Sequence, residues 1–179
     1  ASLGIANLMC MAIAKEREIS YEEAKTQVWL IDSKGLIVKS RTNLTEHKLK
    51  FAQDYKEISG LEEIINELKP TALIGAATMP NSFTPEIIRS MASLNERPII
   101  FALSNPTSKA ECSAEKAYEH SDGRAVFASG SPFVPVKIGD KSFYPGQGNN
   151  ALIFPGVALG VILCGAHHIT DDLFLLAAE

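Results

Sequence analysis

A chain of 179 residues, 46% hydrophobic and 21% charged, can bury the core of one domain and is too ordinary in composition for a disordered or fibrous protein. Its formal net charge of -4 gives no electrostatic reason to expect a nucleic-acid partner. Three widely spaced cysteines, Cys10, Cys112 and Cys164, lack metal-type spacing and read as reduced thiols of an intracellular protein, each a buried or half-buried small residue.

The chain opens on Ala1-Ser2-Leu3-Gly4, already inside an apolar helical pattern and without an initiator Met, as a piece of a longer protein would. Ile5, Leu8, Met9, Ala12 and Ile13 recur at helical spacing and predict a helix over 2–17. Val28-Trp29-Leu30-Ile31 reads as a short buried strand ending at Asp32, and Lys34-Gly35 turns the chain into a basic loop over 36–44. A polar helix follows over 45–54. Leu61, Ile64, Ile65 and Leu68 mark another helix, stopped by Pro70. Ala72-Leu73-Ile74 is a strand closed by Gly75-Ala76-Ala77, and Thr84-Pro85-Glu86 starts a helix running to about Asn95. A strand over 98–102 and a short helix capped by Ser113 come next, then a strand at Ala125-Val126-Phe127-Ala128. Residues 134–138 and 141–144 flank Gly139-Asp140 and predict a hairpin. The apolar stretch from Asn150 contains Pro155, Gly156, Gly160 and Gly165 and falls short of the ~20 residues of a membrane span. It reads as a core helix, followed by a last helix capped by Thr170. No signal peptide or membrane contact is predicted. Helices and strands alternate as in α/β proteins, which predicts a mostly parallel sheet with right-handed crossovers.

Open α/β sheets bind ligands at the carboxyl ends of their strands, so polar residues there carry the functional signal. Asp32 stands where a dinucleotide fold places a carboxylate against the adenosine ribose; alternatively it is a solvated strand end. Ser33, Lys34, Lys39, Arg41 and Lys48 follow it. They could supply the cations and hydroxyl donors that a 2′-phosphate needs, tilting the reading toward NADP over NAD, or form a solvated basic loop. Gly75-Ala76-Ala77 would let a flat ligand approach the backbone, or merely permit close packing. Ser104-Asn105-Pro106 follows the strand at 98–102, and Pro106 holds Asn105 extended; an Asx-type turn is the alternative. Asn149-Asn150 offers uncharged donors and acceptors suited to a carboxylate or a nicotinamide amide, or else caps the next helix. His167-His168, adjacent on a helix, would point about 100° apart and could not share a metal. Asp171-Asp172 would complement a helix dipole.

Four long stretches give the chain a close resemblance to malic enzyme, in the larger, later part of its cofactor-binding domain. They are residues 29–39 (Trp-Leu-Ile-Asp-Ser-Lys-Gly-Leu-Ile-Val-Lys), 96–107 (Glu-Arg-Pro-Ile-Ile-Phe-Ala-Leu-Ser-Asn-Pro-Thr), 127–133 (Phe-Ala-Ser-Gly-Ser-Pro-Phe) and 144–160, from Tyr-Pro-Gly-Gln-Gly-Asn-Asn to Phe-Pro-Gly-Val-Ala-Leu-Gly. The resemblance covers essentially all of residues 1–179 as one domain. It implies a Rossmann-like, doubly wound, mostly parallel α/β sheet, incomplete because the first strand and the Gly-rich turn lie ahead of Ala1. It also implies oxidative decarboxylation of L-malate to pyruvate and CO2 with NADP or NAD and a Mg or Mn ion.

By the same resemblance Asn105 contacts malate and the nicotinamide side, Asn150 holds the substrate carboxylate, and Asn149 lies beside it. Asp32 matches the ribose-side acid. Ser33 and Lys48 match positions facing the 2′-phosphate in NADP-preferring members, with Arg41 on the same loop. Gly4 belongs to the helix after the dinucleotide turn. Ala76, Ala77 and Ser104 are cofactor-binding candidates by their position just past strand ends rather than by the resemblance. The family's catalytic Tyr and Lys, its substrate Arg and its metal carboxylates match no position here, so catalytic and metal residues are expected outside this chain. Thr78-Met79-Pro80-Asn81-Ser82 departs from the small-residue run usual there. The parent is expected to be a homo-oligomer, a tetramer by resemblance, in the cytoplasm or mitochondria. The alternative is a non-catalytic nucleotide-binding or assembly module, inactive as an isolated fragment.

Overall fold

A computed structural model describes residues 1–178 and divides the chain into two compact units, Ala1–Glu57 with the segment from Asn150 onward, and Ile58–Asn149.

In the first unit, α1 (Ser2–Arg17) ends where Glu18 takes a left-handed conformation, with Lys15 and Arg17 in its last turn beside the negative end of the dipole. Helix α2 (Tyr21–Lys25) was not expected. Its signal is the pair Ser20 and Glu23, which form a capping box in which each satisfies the other's backbone N–H. Ala6, Cys10, Ala24, Val28 and Phe51 form the buried core of this unit.

The expected strand at 28–31 is not one. Only β1 (Ile31–Asp32) pairs, antiparallel with β2 (Gly35–Leu36), and Ile31 is exposed. The Val28 carbonyl accepts from the Gln53 side chain, which also bonds the Lys25 carbonyl at the end of α2, instead of from a neighbouring strand. The expected basic loop begins with Leu36, Ile37 and Val38, all buried, and Val38 bridges in parallel to Gln53. The helix expected at 45–54 shortens to α3 (Glu46–Leu49), because Phe51 and Ala52 turn inward.

The second unit carries a parallel sheet. Helix α4 (Leu61–Leu68) precedes β3 (Ala72–Gly75), and α5 (Pro85–Leu94) leads to β4 (Ile99–Ala102). Helix α6 (Ala114–Glu119) leads to β5 (Val126–Ser129). Thr84 and Ser113 cap α5 and α6 as expected, accepting from the N–H of Ile87 and Lys116. A hairpin of β6 (Val136–Ile138) and β7 (Lys141–Phe143) turns at Gly139, whose φ of 57° suits glycine. The short β8 (Gly146–Gln147) was not expected; it adds in parallel to the edge at β5.

Among the described residues the strand order is β3-β4-β5-β8, all parallel, with no reversal of direction along the sheet. Successive right-handed crossovers in such an order place their helices on one face. That face is the core: Leu73, Ile100, Ala102 and Phe127 pack with Ile65, Ile87, Met91, Ala117 and Tyr118. The residues between them, Ile74, Ile99, Phe101 and Val126, are half-buried on the opposite face.

After β8 the chain returns to the first unit through a 3-10 turn at Asn150–Leu152, followed by α7 (Phe154–Cys164) and α8 (Asp171–Ala178). The expected core helix is α7, yet none of its residues is buried: Phe154, Leu159, Ile162 and Leu163 are 58–76% exposed. Cys164 is likewise exposed rather than buried or half-buried. His167 and His168 lie in the link between the two helices, not on a helix. No helix of the described residues is long and apolar enough to cross a membrane.

Candidate functional site

Register fixes the cluster at the carboxyl edge of the sheet. Gly75 pairs with Ala102, and Ala102 with Ser129, so the carboxyl ends of β3, β4 and β5 are level. The loops that leave them, at 76–78, 103–105 and 130–131, therefore run side by side. Hydrogen bonds from Leu103 N–H to the Gly75 carbonyl (2.8 Å) and from Gly130 N–H to the Ala102 carbonyl (3.2 Å) carry the ladder into the loops.

Asn105 is exposed at this edge, beside a cis peptide to Pro106. Its Oδ1 accepts the Ser131 hydroxyl. Gly130 must be glycine for this placement. A Cβ there would stand 2.3 Å from the Leu103 carbonyl oxygen and 2.7 Å from Asn105 Oδ1. Asn149 reaches the same loop from the other side, its Nδ2 donating to the Gly130 carbonyl at 2.8 Å. The structure thus gathers Asn105 and Asn149 around Gly130-Ser131. Asn150 opens the 3-10 turn of the other unit, where its carbonyl accepts from Ile153 N–H. Neither amide caps α7, which begins at Phe154 with Ile153 as its cap residue.

Beneath the first two loops lies Glu111, 1% exposed. Its Oε1 accepts Ala77 N–H at 3.3 Å and the Ser104 hydroxyl, and its Oε2 accepts Ser104 N–H at 3.4 Å. Ser104 Oγ in turn accepts Thr78 N–H at 2.9 Å. The space left by Gly75 is therefore not open to a ligand: a Cβ would meet Glu111 Cγ at 2.5 Å and Phe83 at 2.9 Å. Ala76 is half-buried and Ala77 exposed, so any ligand approach is at these two. Burial, with Glu111 beside it, pushes the Cys112 thiol up to about 12, which makes it inert. Glu111 escaped the sequence reading; a lone carboxylate between Ala110 and Cys112 was the only sign.

In the first unit, Asp32 holds a cation pair. Arg41 engages it with both terminal nitrogens at 3.0 Å, and Lys48 Nζ reaches Oδ2 at 2.6 Å. Lys34 N–H donates to Oδ1 at 2.9 Å. Arg41 is further fixed by the carbonyls of Gly35 and Leu36. Burial alone would raise the Asp32 pKa. The bonds from Arg41, Lys48 and the Lys34 N–H outweigh it and hold the carboxyl well below the usual range. Two cations on one carboxylate leave one unit of positive charge. Ser33 is exposed in the β1–β2 turn, and Gly4 lies in the first turn of α1 with open space where a side chain would be. No cluster among the described residues could hold a metal ion.

The whole chain, residues 1–179, matches the family model described as malic enzyme, NAD binding domain. It is 58% identical, over its full length, to NADP-dependent malic enzyme of Rattus norvegicus and to that of Homo sapiens, covering 31% of each. It is also 58% identical to the mitochondrial NADP-dependent malic enzyme of Homo sapiens, covering 30% of it. The chain thus spans about a third of the length of these relatives.

Proposed function

The chain belongs to the malic enzyme NAD-binding domain family, and from that premise we propose that it is the dinucleotide-binding part of an NADP-preferring malic enzyme converting L-malate to pyruvate and CO2. The observation that carries the NADP preference is the trio of Asp32, Arg41 and Lys48. A carboxylate has about four lone-pair sites, and the four donors on Asp32 occupy them. Asp32 so engaged serves less as an acceptor for a ribose hydroxyl than as the anchor that orients two cations. That donor set fits a 2′-phosphate, with Ser33 able to add a hydroxyl.

NADP, when bound, takes the hydride that leaves C2 of malate. The part of this chain is positioning rather than proton transfer. Arg41 and Lys48 would hold the adenosine phosphate. Ala76 and Ala77 would meet the dinucleotide at the sheet-end loops, with the buried Ser104 holding the loop backbone from beneath, and Gly4 would leave the start of α1 open to a phosphate at its backbone N–H groups. Asn105 and Asn149, gathered at Gly130-Ser131, would orient the malate carboxylate and the nicotinamide amide, and Asn150 keeps the substrate role that the resemblance implies. Among the described residues no group of three or more His, Cys, Asp or Glu side chains could hold the divalent ion that the resemblance implies. The parent would be a homo-oligomer acting in the cytoplasm or mitochondria, one relative being mitochondrial by name.

The test is Lys48→Gln in the full-length protein. We expect kcat/KM for NADP to fall about tenfold or more, the scale of a lost charge-assisted bond, while that for NAD stays nearly constant. An unaltered NADP/NAD ratio removes Lys48 from the cofactor site.

A further inference from the structure

We propose that Glu111 is a positioning residue for dinucleotide binding, a buried carboxylate that ties the loop after β3 to the loop after β4. The inference rests on the reading of this chain as a nucleotide-binding part, and goes beyond it by naming what holds the binding edge in shape. Its three donors come from those two loops: Ala77 N–H from one, the N–H and hydroxyl of Ser104 from the other. Thr78 N–H occupies the Ser104 oxygen, so the Ser104 hydrogen is left to point at Glu111. The chain Thr78–Ser104–Glu111–Ala77 is thereby closed with one hydrogen orientation. The backbone around Glu111 adds to it. Phe83 N–H donates to the Glu111 carbonyl at 3.0 Å, and Asn81 N–H to the Ala110 carbonyl at 3.2 Å.

Stability alone does not account for this residue. A carboxylate out of water is unfavourable, and well-packed apolar side chains usually replace such groups without loss. The fold instead makes room for it by placing glycine at 75, where a Cβ would overlap the Glu111 side chain. What the arrangement secures is local. Two loops of different strands, one of them carrying Asn105, are held at a fixed offset at the sheet edge where ligands bind. Glu111 itself is buried under that edge and acts through Ser104 and Ala77.

The experiment uses the full-length protein with Glu111→Gln, Ser104→Ala and the double variant. NADP and NAD dissociation constants are measured by calorimetry, and amide hydrogen exchange is followed in the nucleotide-free protein. Glutamine places an NH2 donor where the site needs a second acceptor. We expect Glu111→Gln to weaken NADP and NAD by the same factor, about tenfold or more. We expect the double variant to be no weaker than the worse single one. Exchange over 76–78 and 103–105 should rise. A variant that melts at lower temperature yet binds both nucleotides as wild type does, or effects that simply add in the double variant, overturn the inference. If Glu111→Gln does not fold, Ser104→Ala decides alone: unchanged affinity and unchanged exchange at Ala77 and Thr78 overturn it. Wild-type protein that binds neither nucleotide overturns the nucleotide-binding reading itself, whereas binding that is indifferent to these substitutions overturns only the role of Glu111.

Discussion

Asp32 is the residue on which the acid stability of the first unit turns. Its side chain is 18% exposed and that of Arg41 11%, so their attraction is only partly screened by water. The folded pKa lies below the ordinary 3.8. The stabilisation is therefore complete above that value and drains away as pH falls below about 4 toward the folded pKa. Asp32→Asn removes this contribution. Its melting temperature should lie below wild type at neutral pH, and the gap should narrow as the buffer is taken from about pH 5 to pH 2. A gap that stays constant over that range would mean the ion pair contributes nothing. The placement of Asp32 after an apolar run was legible in the sequence. Its partners were legible only as a nearby basic group, because nothing in residue order says that Arg41 and Lys48 both turn back to one carboxylate. The role of Glu111 was not legible beyond a lone carboxylate between Ala110 and Cys112, since its donors lie 7 and 34 residues away.

Elements with their own signal were readable, and elements made by neighbours were not. The strands β3, β4 and β5 are short apolar runs, and α1, α4, α5 and α6 have periodic faces or capping residues. Strand β8 is Gly146-Gln147, which has no strand propensity; it exists because β5 presents an open edge. The stretch 28–31 shows the converse, an apolar run in which only Ile31 pairs as a strand while the Val28 carbonyl is taken by the Gln53 side chain. The hairpin was legible from Gly139-Asp140, but its anchoring was not. Phe143 stacks on Tyr118 with ring centroids 4.8 Å apart and fills the space over Gly123, whose φ is 71°. Phe143→Ala should cost about 1–3 kcal/mol, read as a lower urea midpoint. An unmoved midpoint would mean that the hairpin hangs free of the core.

At the scale of the molecule the exposed helix α7 decides how the chain behaves alone. Leu152, Phe154, Leu159, Ile162 and Leu163 are each more than half exposed, a run of apolar surface that a monomeric protein seldom leaves in water. The relatives are about three times as long as this chain. We therefore expect the isolated 179-residue chain to self-associate and to lack malate oxidation. A monomer in analytical ultracentrifugation with one cooperative melt would contradict this. The sequence by itself determined the alternation of helices and strands, the parallel sheet and the family, because periodicity, capping and long motifs are local properties of residue order. Only the tertiary structure decided that Asp32 is saturated by two cations, that Gly130-Ser131 gathers Asn105 and Asn149, and that Glu111 lies under two loops. These depend on strand register and chain return, which bring together groups that are distant along the chain.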